Sequence, residues 1–224
     1  MRPGARRCAC ASGGWGGERL LRGGPRASKR PPRAMPARSL VVLYGGEASE
    51  EVAKQLAAGA AAKCSCTAAL MAMDEHKKCV EALEGAPGST VALLVLETHE
   101  NNAPAPQAER CVSQLLKARR CDYCSTRTSR PNPQCGTKCP YVSAFAGLKF
   151  AVVAIGDTNL LLDRQTTTAK DCNRVGQQMD GQLAKCGATR FVSRCECNEA
   201  EGLEEALEPW MDKLWSPLKE ALAV

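Results

Sequence analysis

Three short polar segments hold the residue types that bind anions or flat rings: Gly45, Gly46, Glu47, Ala48 and Ser49; Glu97, Thr98, His99 and Glu100; and Gly156, Asp157, Thr158 and Asn159. Each follows directly on an apolar run. The first passes straight into a helical pattern, so its free backbone N–H groups and the helix dipole can hold a phosphate. The other two can flank a flat ring. His99 offers an imidazole for stacking or proton sharing, or is a solvated loop histidine. Asp157 and Asp163 offer carboxylates to a ligand or partner, or cap their own turns.

A second constellation is made of thiols. Cys121 and Cys124 form a C-x-x-C pair, and Cys135 and Cys139 follow as C-x-x-x-C, all within a Pro-, Arg- and Ser-rich stretch at 119–146 that has no periodicity. Two close thiol pairs can each clamp one edge of a zinc tetrahedron. The alternatives are a redox-active pair or coincidence in a chain with 14 cysteines. The cysteines at 64, 66, 79, 111, 172 and 186 are scattered through apparent strands and helices. They read as small buried hydrophobes in a reducing compartment.

The elements that must position these loops alternate strictly. Ser39 to Tyr44 reads as a buried strand, followed by a helix with Val52 and Leu56 inward and Ser49 as its N-cap. A second strand falls within "CSCTAALMAMDE" and a short helix in "HKKCVEALEG". "STVALLVLET" is the clearest strand, ending at Glu97 and Thr98, and a helix at 107–118 follows it. After the 119–146 insertion come a strand from Leu148 to Ile155, a helix through Val175, Met179 and Leu183, a short strand "TRFVSR" and a closing helix bearing Trp210, Leu214 and Leu218. Five β–α units predict an α/β fold: a doubly wound, five-stranded parallel sheet of order 2-1-3-4-5, with helices on both faces. Ligands of such sheets sit beyond the carboxyl ends of the strands, where all three polar segments fall.

Charge excludes one class of partner. Ten of the 30 basic residues and one of the 24 acids lie in the first 40 positions, which leaves 41–224 at a net of −3. The folded part carries no basic nucleic-acid footprint. Residues 1–38, rich in Arg, Gly, Ala and Pro, suit a chloroplast or mitochondrial transit peptide. Otherwise they are a disordered tail or upstream extension, and the protein is cytoplasmic. The domain proper is 39–224. No apolar run is long enough to span a membrane. A nicotinamide-binding Rossmann enzyme would need a Gly-x-Gly-x-x-Gly turn after the first strand, which is absent.

In "AIGDTN", "NRVGQQMDGQLAKCGATRF" and "EGLEEALEPWMDKLW" the sequence resembles the flavodoxin-like FMN-binding domains of diflavin reductases. The resemblance covers about 40–222 outside the insertion. It implies a flavodoxin-like fold and an FMN phosphate on Gly45, Gly46, Glu47, Ala48 and Ser49. It implies one flavin face against Glu97, Thr98, His99 and Glu100, and the other against Gly156, Asp157, Thr158, Asn159 and Leu160. Asn173 and Asn198 match positions near the flavin. The departures are concrete. The first loop is about two residues shorter than the family's, and only Ser49 there offers a hydroxyl. Glu47 brings negative charge, and His99 and Leu160 stand where the family has aromatics.

The resemblance implies an oxidoreductase-type electron carrier in which the cofactor does the chemistry and no catalytic residue is needed. No FAD- and NADPH-binding half follows the last helix, so a separate reductase and a redox acceptor protein are the expected partners. The acids Glu196, Glu199, Glu201, Glu204, Glu205 and Glu208 would meet such a partner or form a solvated helix face. The other reading is a flavin-free interaction module of the same fold, binding zinc through the cysteine-rich loop.

Overall fold

Apolar runs alternate with amphipathic stretches along the chain, and each run becomes a strand. The structure, a computed structural model, describes residues 38–117, 144–159 and 172–223, without the side chain of Asn101. The strands β1 (Ser39–Gly45), β2 (Ala68–Ala72), β3 (Thr90–Thr98), β4 (Lys149–Gly156), β5 (Thr189–Arg190) and β6 (Cys195–Asn198) form one parallel sheet. Its order is β2-β1-β3-β4-β5, with β6 also on β4. The helices are α1 (Glu47–Cys64), α2 (His76–Glu84), α3 (Glu109–Lys117), α4 (Arg174–Lys185) and α5 (Leu203–Leu222). Among the described residues, no helix is long and apolar enough to cross a membrane.

The central strand shows why the sequence folds this way. All nine residues of β3 are buried, as a strand covered on both faces requires. Val91, Leu93 and Val95 point into a core with Val52 and Leu56 of α1 and Trp210, Leu214 and Leu218 of α5. Ala92, Leu94 and Leu96 point the other way, toward Val80, Leu83, Leu115, Met179 and Leu183. The two-residue period therefore sorts one apolar run into two cores.

Four expectations need correction. The fifth strand is interrupted: Thr189 and Arg190 pair with Lys149 and Phe150, the chain leaves the ladder over 191–194, and Cys195–Asn198 rejoin β4. Side chains hold the detour. Asp180 of α4 accepts Nε and Nη2 of Arg190 at 2.6 and 2.7 Å and Nη1 of Arg194 at 2.7 Å, and the Trp210 indole donates to the Ser193 carbonyl at 2.6 Å. The third helix begins at Glu109 rather than 107, because 106–108 form a turn. Phe145, within the expected loop, is fully buried and donates its N–H to the Cys186 carbonyl at 3.0 Å. Ser49 is not the cap of α1: the helix starts at Glu47, three residues earlier than that cap implies, with Gly46 as N-cap at φ 126°.

The leader as far as residue 37, the cysteines at 121, 124, 135 and 139, Leu160 and Asp163 lie outside the described residues. Among the described residues eight cysteines are free thiols, five of them buried. Cys195 and Cys197 lie 3.5 Å apart, sulfur to sulfur. Hydrogen bonding to its partner thiol and burial push Cys195 far above the ordinary thiol range, and the same causes act on Cys111 beside Cys79. These two behave as protonated apolar packing groups.

Candidate functional site

The carboxyl ends of β1, β3 and β4 lie side by side, with Gly45 opposite Leu96 and Thr98 opposite Gly156 in the ladders. They open into a cleft of about 480 Å³, within the range of small-molecule sites. Gly46, Glu47, Ala48, Glu97, Thr98, His99, Gly156 and Asp157 line it, as the sequence predicts. Pro106, Gln107, Ile155 and Glu199 line it as well and were not foreseen. Glu199 arrives there because its N–H donates to the Gly156 carbonyl at 2.9 Å, a pairing that needs β6 alongside β4.

The remaining predicted residues build the walls from behind. A Cβ on Gly45 would collide with Ala108, so that glycine serves close packing. A side chain on Gly156 would strike the Cys172 carbonyl, and Asn173, buried at the start of α4, lies behind the same glycine. Thr98 is buried and its hydroxyl accepts the Val175 N–H at 3.1 Å, tying β3 to α4. The Thr158 N–H donates to Asn198 Oδ1 at 3.1 Å, and Asn198 Nδ2 donates back to the Thr158 hydroxyl at 3.1 Å. Asp157 accepts the Asn159 N–H at 2.7 Å and so caps its own turn. Glu100 opens a single 3-10 turn, Glu100–Asn102, outside the cleft wall.

The phosphate loop differs most from expectation. The Ser49 N–H, in the first turn of α1, donates to Glu97 Oε1 at 2.6 Å. The other carboxylate oxygen of Glu97 lies 3.1 Å from His99 Nε2. A Cβ on Gly46 would collide with this carboxylate. Glu97, expected over a ring face, therefore sits on the N-terminus of α1 and does there what a bound anion would do. The Ser49 hydroxyl faces inward and donates to the Gly46 carbonyl at 2.8 Å, so it offers no contact to the cleft.

The charge around the cleft is one-sided. Glu47, Glu97, Asp157 and Glu199 line it, with His99 and no described lysine or arginine. Burial at the cleft wall, then Glu97 and Asp157, raise the Glu199 carboxyl above its ordinary range, while His99 opposes them. A dianionic phosphate on the α1 terminus would meet the Glu97 carboxylate at contact distance, costing about 4 kcal/mol per charge pair at an effective dielectric of 20. The residues present thus fit the ring portion of FMN, between the β3 and β4 loops, but not its phosphate while Glu97 holds Ser49. Among the described residues, no group of three or more His, Cys, Asp or Glu is arranged to hold a metal ion.

Comparison with known proteins supports the architecture. The family model described as Flavodoxin matches residues 45–210. A bifunctional cytochrome P450/NADPH–P450 reductase of Bacillus cereus is 25% identical over 186 residues, covering 83% of this chain and 14% of that protein. Methionine synthase reductase of Mus musculus is 32% identical over 74 residues, 33% of this chain and 9% of that protein. The chain thus spans a small fraction of either relative's length. A single-site mutant of a flavodoxin from Pseudomonas aeruginosa superposes with a TM-score of 0.52 at 18% identity, covering 80% of this chain and 98% of that one. A short-chain flavodoxin associated with a bacterial microcompartment gives a TM-score of 0.52 at 14% identity, covering 82% and 99%.

Proposed function

Because the chain belongs to the flavodoxin family, we propose that it is an electron-transfer domain whose cleft takes the ring of an FMN-type flavin. The observation that carries this reading is the pairing of two loops, Thr98–His99 and Gly156–Asp157, on adjacent strand ends around one cleft of about 480 Å³. A bound flavin would supply reversible electron transfer. The chain's part is to hold and orient it. Gly156 keeps the β4 side free of side chain, and His99 stands on the β3 side. Thr98, tied to Val175, keeps the wall rigid.

Electrons would come from an FAD- and NADPH-binding reductase and go to a redox acceptor protein. Glu47, Glu97, Asp157 and Glu199 line the cleft, and their negative field would steer a partner with a basic surface and speed encounter at low salt. With the Arg-rich first 38 residues as a transit peptide the location would be a chloroplast or mitochondrion, and otherwise the cytoplasm.

A second reading, a flavin-free interaction module with zinc on Cys121, Cys124, Cys135 and Cys139, is favoured by the Glu97 carboxylate on Ser49. Titration with riboflavin and FMN, followed by flavin fluorescence, separates the two. Saturable uptake of either flavin supports the electron-transfer reading. Folded protein that takes up neither, with one zinc per chain by metal analysis, refutes it.

A further inference from the structure

We infer that Glu97 is a built-in substitute for the cofactor's phosphate, so that the cleft selects an unphosphorylated flavin over FMN. The inference rests on the flavin reading above and concerns which flavin that site accepts.

Four observations converge on it. Glu97 is the penultimate residue of β3, and the ladder that pairs Leu96 with Gly45 places it beside the start of α1. Both carboxylate oxygens are engaged, Oε1 by the Ser49 N–H at 2.6 Å and Oε2 by His99 Nε2 at 3.1 Å. The group is only 8% exposed, and the missing Cβ of Gly46 makes the space it fills. No described lysine or arginine lines the cleft to compensate a second anion at that end.

The first-turn N–H groups of a helix attract one anion, and here that anion is covalently part of the chain. An entering phosphate must expel the carboxylate from Ser49 and then share the pocket with it. A flavin with a neutral side chain needs neither step, and the space between the β3 and β4 loops remains open to its ring.

The test is a fluorescence titration of riboflavin and FMN against the full chain and against Glu97→Gln, with circular dichroism to confirm folding. Riboflavin should bind the wild type at least about tenfold more tightly than FMN. In Glu97→Gln the ratio of FMN to riboflavin affinity should shift toward FMN by a similar factor, and a ratio unchanged from the wild type overturns the inference. Equal or tighter binding of FMN by the wild type overturns the inference and leaves the flavin reading intact. Absence of binding by both flavins to both folded proteins removes the flavin reading itself, and this inference with it. The wild-type comparison needs no variant, so a Glu97→Gln protein that fails to fold does not remove the test.

Discussion

Replacing Glu97 by alanine should destabilise the protein by about 2 kcal/mol at neutral pH. The figure follows from what the carboxylate touches. Its bond to the Ser49 N–H at 2.6 Å is buried and charge-assisted, worth about 1.5–3 kcal/mol when one partner is removed. The favourable interaction of the charge with the α1 dipole is part of the same contact and adds at most about 1 kcal/mol. Relief of repulsion with Glu199, visible in the raised Glu199 carboxyl, offsets some of this. For a domain of this size about 2 kcal/mol lowers Tm by about 4–8 °C. Glu97→Gln, whose amide oxygen can still accept from Ser49, should lose about half as much. His99→Ala should lose less than about 1 kcal/mol, because the imidazole is 45% exposed. Urea denaturation followed by circular dichroism measures all three, with an unchanged slope identifying a change in stability alone. A Glu97→Ala protein as stable as the wild type would show that the carboxylate does not cap α1, and the account of the phosphate loop would fail.

Two glycines of α4 should respond in opposite directions. Gly176→Ala puts a methyl into Ala154 and should cost about 1–3 kcal/mol, whereas Gly181→Ala meets nothing within 4 Å and should gain about 0.5–1 kcal/mol; thermal melts of the two variants decide it. Glu199 carries a pH signature: its folded-state pKa is raised by burial, Glu97 and Asp157, so the native state binds its proton more tightly and stability falls as pH rises through and above the ordinary carboxylate range. Glu199→Gln should therefore match the wild type in acid and exceed it in Tm at neutral pH, and an advantage confined to acid would contradict the assigned cause.

Periodicity and spacing made the sheet legible. The run from Val91 to Leu96 is wholly apolar and long enough only for a strand covered on both faces, and the β–α alternation leaves few strand orders. The interrupted fifth strand was not legible. Its detour depends on Asp180 reaching Arg190 and Arg194 across 10 and 14 residues of chain, a pairing no local pattern encodes. The stretch containing Gly176, Asp180, Leu183 and Gly187 is one of the three that carry the family resemblance, and the structure gives all four framework duties. Gly176 admits β4, Asp180 anchors the detour, Leu183 fills the core, and Gly187 turns at φ 93°. Family likeness in that stretch therefore reports the fold more than the ligand.

Eight of the predicted loop residues do line the cleft, because strand-end loops of a parallel sheet must converge on one edge. One clue to the role of Glu97 was present in the sequence: a carboxylate near the end of an otherwise apolar central strand must find a partner there. Which partner depends on strand neighbours and on the direction a side chain takes from a twisted sheet. By itself the sequence determined that three polar loops meet at the carboxyl edge of a doubly wound sheet, since local periodicity and chain reach dictate that much. Only the tertiary structure decided that the first loop closes on the chain's own carboxylate. Glu97 and Ser49 are 48 residues apart, and the pairing of β1 with β3 alone brings them within hydrogen-bonding distance.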